Sequence, residues 1–243
     1  MNKTALITGA SMGIGAAIAR TFAKQGYALA LCCRNSIQEL ETLATELRTS
    51  CKVPILVFQG DVGEESFVSD MLEETQKEFG HLDILINNAG ISHIGLLTDM
   101  SLEDWNHIVT TNLTSAFLTC KYASPSMIAR KQGKILNISS VWGLCGASCE
   151  VAYSTCKGGL NTFTKALGKE LAPSNIQVNA IACGVIDTQM NACFSPEEKA
   201  ELAEEIPAGR FGSPEEVAHL ALQLVTENSY LTGQIITLDG GWI

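Results

Sequence analysis

Thr8-Gly9-Ala10-Ser11-Met12-Gly13-Ile14-Gly15 closes one short apolar run and opens an amphipathic one. In such a turn Gly9 permits the tight reversal, Gly13 lets the backbone approach a pyrophosphate, and Gly15 lets the following helix pack closely on the sheet. The N-terminus of that helix then attracts the anion. A glycine-rich turn is also found in ordinary strand-to-helix loops, so the reading depends on context. Here the turn follows the first strand of a chain that alternates strands with helices throughout. Ser11, Met12 and Ile14 are therefore taken with the three glycines as cofactor-binding candidates.

Outward from the turn, residues 4–7, 28–33, 55–59, 84–86, 134–138, 177–181 and 234–238 are rich in Val, Ile and Leu. They lack the polar alternation of a half-exposed strand and read as buried parallel strands. Between them, residues 14–25, 37–48, 64–79, 102–130, 152–171 and 214–227 carry helical patterns. Repeated strand–helix–strand units with right-handed crossovers give an α/β fold, a Rossmann-type doubly wound parallel sheet of about seven strands with helices on both faces. No Pro/Ser-rich linker, charge block or repeat interrupts the pattern, so residues 1–243 are expected to form a single dinucleotide-binding domain. Ligands of such sheets bind at the carboxyl ends of the strands, where strand order reverses.

The second strand ends at Cys32-Cys33-Arg34-Asn35, where an NAD-binding fold places an acid for the ribose 2′-hydroxyl. No acid lies between Leu31 and Gln38. Arg34 offers a guanidinium for a 2′-phosphate, which favours NADP (as NADPH) over NAD. Tyr153 and Lys157 share one face of a helix, one turn apart. An ammonium there favours the phenolate, so the tyrosine pKa is expected to fall from about 10 towards the working pH. Ser139-Ser140 ends another strand and brings a hydroxyl to the same rim.

Twenty-six acidic residues against 16 basic ones give a net charge of −10, which repels duplex nucleic acid and anionic membranes. The apolar stretch at 27–33 is too short to span a bilayer, and the first residues run into a strand and not a signal peptide. A cytoplasmic protein is expected, with no nucleic acid and no membrane partner. Nine cysteines scattered through apolar segments argue against a disulfide scaffold. Cys145 and Cys149 lack a nearby His or a second pair, and no HxxxH or HExxH pattern occurs, so no metal site is assigned.

Together these residues resemble the classical short-chain dehydrogenase/reductase family over essentially the whole chain. The resemblance rests on the glycine turn, Asp61-Val62, Asn87-Asn88-Ala89-Gly90, Asn112, Ser140, Tyr153, Lys157 and Thr188. It implies that Ser140 holds a substrate carbonyl, Tyr153 transfers the proton, Lys157 binds the nicotinamide ribose, and Asn112 supports a water relay to the lysine. It also implies that Asp61 and Val62 flank the adenine, Asn88, Ala89 and Gly90 the adenosine ribose, and Val185 with Thr188 the carboxamide. The tail at 238–242 resembles a region with which relatives build a homotetramer.

Two departures concern the cofactor end. Met12 stands where many NADP-dependent relatives carry Arg, and Cys183-Gly184 replaces Pro-Gly, which frees a φ angle and is expected to loosen that loop. The resemblance extends to bacterial 3-oxoacyl-[acyl-carrier-protein] reductases of fatty acid biosynthesis, which act on a carrier-bound ketone. Of two basic positions that meet the carrier, Lys131 is retained and Ser174 replaces the other. Residues 146–153 instead resemble a branch that reduces the 5-aminopentanone modification of elongation factor P. A generic secondary-alcohol dehydrogenase of small molecules is a third reading. A non-catalytic dinucleotide-binding regulator is the alternative from another class, against which Ser140, Tyr153 and Lys157 all stand. Glu150, three residues before Tyr153, suits either a helix start exposed to solvent or a contact with an ammonium-bearing substrate.

Overall fold

The computed structural model describes residues 3–191 and 194–243. Seven strands, β1 (Thr4–Thr8), β2 (Ala28–Cys33), β3 (Ile55–Gln59), β4 (Ile84–Asn87), β5 (Gly133–Ser140), β6 (Ile176–Cys183) and β7 (Ile235–Leu238), form one sheet in the order β3-β2-β1-β4-β5-β6-β7. Every pairing is parallel. Order reverses between β1 and β4, so the crevice opens where the sequence pattern requires it.

Both faces of each inner strand are apolar because both are covered. Ala5, Ile7, Leu29 and Leu31 face one core with Ile18 and Phe22 of α1 (Gly13–Lys24), Leu40 of α2 (Ile37–Cys51) and Ala221 of α9 (Pro214–Thr226). Leu6, Ala30 and Leu85 face the other with Val68 and Leu72 of α3 (Glu65–Phe79), Leu118 of α5 (Ser115–Arg130) and Leu171 of α7 (Val151–Leu171). Each fully buried Leu or Ile contributes about 1.5–3 kcal/mol, and their period-2 alternation fixes the register. A buried polar chain also pins the second layer. Thr119 donates to Asn87 (2.6 Å), Asn87 to Asn137 (2.9 Å) and Asn137 to Thr164 (2.8 Å), tying α5, β4, β5 and α7 together.

Several boundaries differ from the sequence reading. The segment 102–130 is not one helix. It divides into α4 (Leu102–Val109), a π-helical turn (Thr110–Thr114) and α5. In this turn the Asn112 amide accepts from Ile91 N (3.2 Å) and donates to Ile91 O (2.9 Å). A short helix, α6 (Trp142–Cys145), follows β5, and α8 (Pro196–Glu205) precedes α9. Strands β5 and β6 run on through Ser140 and Cys183. Cys183 is thus a paired strand residue, opposite Ser140 on one side and Leu238 on the other. Among the described residues, no helix is long and apolar enough to cross a membrane.

Candidate active site

A cleft of about 980 Å³ runs along the carboxyl ends of the strands, from Arg34 and Ser36 at one end to Trp142, Glu150 and Trp242 at the other. That volume is at the top of the range of about 300–1,000 Å³ for ligand sites. The glycine turn forms one wall. Gly9 (φ 63°) and Gly13 (φ 54°) adopt left-handed backbone that favours glycine. Met12 caps α1 without a side-chain hydrogen bond, so the first N–H groups of α1 remain for an anion.

Asn88 is the strut of this wall. Its amide donates to Thr8 O (3.0 Å) and Gly9 O (2.9 Å), while Thr8 Oγ1 accepts from the N–H groups of Asn88 and Ala89 (3.0 Å each). A Cβ at Gly15 would meet Gly9 O at 2.2 Å and the Asn88 amide at 2.6 Å, so Gly15 is needed for this packing. A Cβ at Gly13 would approach Thr188 Cγ2 to 3.3 Å, and one at Gly90 would lie 2.7 Å from Asn112 Oδ1 and 3.6 Å from Lys157 Nζ. The slot between turn, β4 loop and Thr188 loop is thus kept open by missing side chains, the shape that a bound dinucleotide requires.

At the other wall, Ser140 ends β5 and Tyr153 and Lys157 project from α7. Ser139 Oγ donates to Asn161 Oδ1 (2.6 Å), and Asn161 Nδ2 donates to Gly143 O (3.1 Å), which staples the end of β5 and α6 onto α7. Lys157 Nζ donates to Ile138 O (2.9 Å) and lies 5.5 Å from the Tyr153 ring centroid. Burial pulls the Lys157 ammonium down to about 8, partly opposed by the neighbouring thiols Cys183 and Cys156. Burial also drives the Cys183 thiol up to about 12.

The expected lowering of the Tyr153 pKa is overturned. Burial pushes the phenol upward, and a hydrogen bond with Ser140 only partly offsets it. Glu150 and the thiols of Cys183 and Cys156 add to the upward shift.

The structure brings Gly9, Ser11, Met12, Gly13, Ile14, Arg34, Asn88, Ala89, Gly90, Ser140, Tyr153, Lys157, Val185 and Thr188 onto the cleft. It sets Gly15, Asp61, Val62 and Asn112 behind its lining. Val62 is packed in the core with Val68 and Met71. Arg34 is not a free cation: its Nε lies 3.2 Å from Asp61 Oδ2.

Sequence reasoning missed the acidic character of the substrate end. Besides Glu150, the exposed Glu198, Glu201 and Glu205 of α8 line the cleft. Glu150 heads α7, receives a hydrogen bond from Trp142, and burial raises its pKa. Trp142 in turn packs on Trp242, 4.8 Å between ring centroids. The signal for α8 was present in Ser195-Pro196-Glu197-Glu198, the same capping-box string as Ser213-Pro214-Glu215-Glu216 before α9.

Comparison with known proteins extends the geometry. Residues 3–199 match the family model described as short chain dehydrogenase. The chain is 42% identical over 243 residues to the uncharacterised oxidoreductase YmfI of Bacillus subtilis, covering 100% of this chain and 99% of that one. It is also 42% identical over 240 residues to the 3-oxoacyl-[acyl-carrier-protein] reductase FabG of Aquifex aeolicus, covering 98% and 96%. An actinorhodin polyketide ketoreductase solved with NADPH superposes with a TM-score of 0.94 at 33% identity, covering 99% and 97%. With the switch-point crevice, the glycine turn and the Ser140–Tyr153–Lys157 wall already in place, these likenesses show that the chain belongs to the short-chain dehydrogenase family and is an NAD(P)-dependent oxidoreductase acting on carbonyl or hydroxyl groups.

Proposed function

We propose that this protein is an NADPH-dependent ketoreductase whose first substrate class is a 3-oxoacyl thioester on an acyl carrier protein. The observation that carries the reaction type is the convergence of Ser140, Tyr153 and Lys157 on one wall of a cleft whose other wall is the glycine turn. The dinucleotide, when bound, supplies the hydride. Tyr153, kept a neutral phenol by burial, donates the proton to the ketone oxygen. Ser140 holds that oxygen and the phenol, and Lys157 holds the cofactor ribose. Asn112 props Gly90 and Ile91 beside Lys157 and so positions them. The carrier-bound class is supported by the FabG relative.

A second reading is favoured by Glu150 and the three α8 glutamates: a ketone carrying an ammonium group, such as the 5-aminopentanone modification. A carboxylate-lined mouth attracts a cation and repels an acidic carrier. Lys131 and the Ser174 turn, joined by Asn175 Nδ2 donating to Lys131 O (3.0 Å), precede β5 and β6 and so lie at the strand ends opposite the cleft. The two readings separate in one assay of NADPH oxidation with acetoacetyl thioester and with an amine-bearing ketone. Glu150→Gln is expected to raise KM for the amine-bearing ketone by about one to two orders of magnitude, the scale of one charged hydrogen bond, and to spare the thioester. Equal effects on both substrates, or none on either, reject the cationic substrate.

NADPH over NADH is supported by Arg34 on the cleft and by the absence of an acid after β2. Cys33 is buried at the end of β2, and its thiol accepts from the Ser36 backbone N–H. Cys33→Asp places a carboxylate on that donor, where it binds a ribose 2′-hydroxyl and repels a 2′-phosphate. Preference is expected to move towards NADH by about 10–100-fold. A wild-type KM lower for NADH than for NADPH would refute the NADP assignment.

A further inference from the structure

Arg34 lines the adenosine end of the cleft with its side chain about half exposed, where an arginine would ordinarily sample many rotamers. Here two groups on other elements hold it. Asp61, past the end of β3, faces Nε at 3.2 Å, and is itself fixed by Gly63 N donating to Oδ1 (2.8 Å). His107, on α4, faces Nη1 at 3.3 Å through its Nε2. A guanidinium only donates, so in this contact His107 Nε2 is the acceptor. Met12 offers no second cation, so recognition of an anion at this end depends on how well this one planar fork is aimed.

We infer that His107 is a specificity-determining positioning residue for the phosphorylated adenosine of the cofactor. Accepting from Nη1 while Asp61 holds Nε, it fixes the plane of the Arg34 guanidinium and leaves the remaining N–H groups for the 2′-phosphate. A carboxylate in its place, beside Asp61, would leave the cluster with a net negative charge and repel the phosphate. The inference rests on the NADP reading above.

The test is calorimetric binding of 2′,5′-ADP and of 5′-AMP to the full chain, as wild type, His107→Phe and His107→Gln. Because His107 is exposed, neither substitution disturbs the core. Wild type is expected to prefer 2′,5′-ADP. His107→Phe is expected to lower that preference about 3–10-fold through 2′,5′-ADP alone, and His107→Gln, whose amide oxygen also accepts, to restore most of it. A wild type without preference defeats the NADP reading, and the inference with it, before any variant is made. A preference unchanged in His107→Phe, equal loss for both ligands, or no recovery with Gln overturns the role of His107 alone.

Discussion

Tyr153→Phe lowers turnover by about 10²–10⁴-fold and leaves cofactor affinity little changed, the range expected when a positioned acid is lost. The ring stays, so the packing of α7 against the cleft is kept, and only the hydroxyl that meets Ser140 disappears. Burial holds that hydroxyl protonated throughout the neutral range, which suits donation to a ketone. Steady-state kinetics with a thermal melt on the same sample check this. Near-normal turnover in a variant that melts like the wild type removes Tyr153 from the role.

Lys157→Met should abolish most activity while making the protein more stable. The folded pKa of about 8 lies below the unfolded value near 10.4, so the unfolded chain binds more protons between the two. Wild-type stability therefore rises as pH climbs from about 8 to about 10.4, and the buried ammonium costs about 3 kcal/mol below that window. Losing the hydrogen bond to Ile138 O offsets about 1 kcal/mol of the relief. A net gain of about 1–2 kcal/mol at pH 7 raises Tm by roughly 2–8 °C for a chain of this size. Turnover falls by about 10²-fold or more. Unchanged turnover would remove the lysine from the site, and a variant whose stability keeps the wild-type slope above pH 8 would refute the burial argument.

The strands were legible because each inner one is apolar on both faces, as at Leu29 to Cys33, and nothing but a doubly covered sheet accommodates that. The glycine turn was legible because each of its glycines answers a steric demand that the packing of Asn88 and Thr188 makes visible. Helix α8 was marked only by its capping string, because it has no buried residue and therefore no apolar period to detect. The π-helical turn at Thr110–Thr114 was hidden for a different reason: a π turn changes hydrogen-bond partners without changing the residue types that favour a helix. The partners of Arg34 are separated from it by 27 and 73 positions, and the direction of the Tyr153 shift depends on depth. Neither is a property of a local string.

The strand order also dictates when a binding crevice can exist as the chain emerges. β1, β2 and β3 can pair among themselves, but the switch point arises only when β4 docks on the free edge of β1, joining Ala5 to Ile84. Parallel pairings close long loops and form slowly. The struts from Asn88 to Thr8 and Gly9 follow immediately after β4, so the same stretch that pairs with β1 also braces the glycine turn. The wall of Ser140, Tyr153 and Lys157 comes from β5 and α7, synthesised later. The glycine turn and its struts thus lie within the first 89 residues of the chain, ahead of the wall they face.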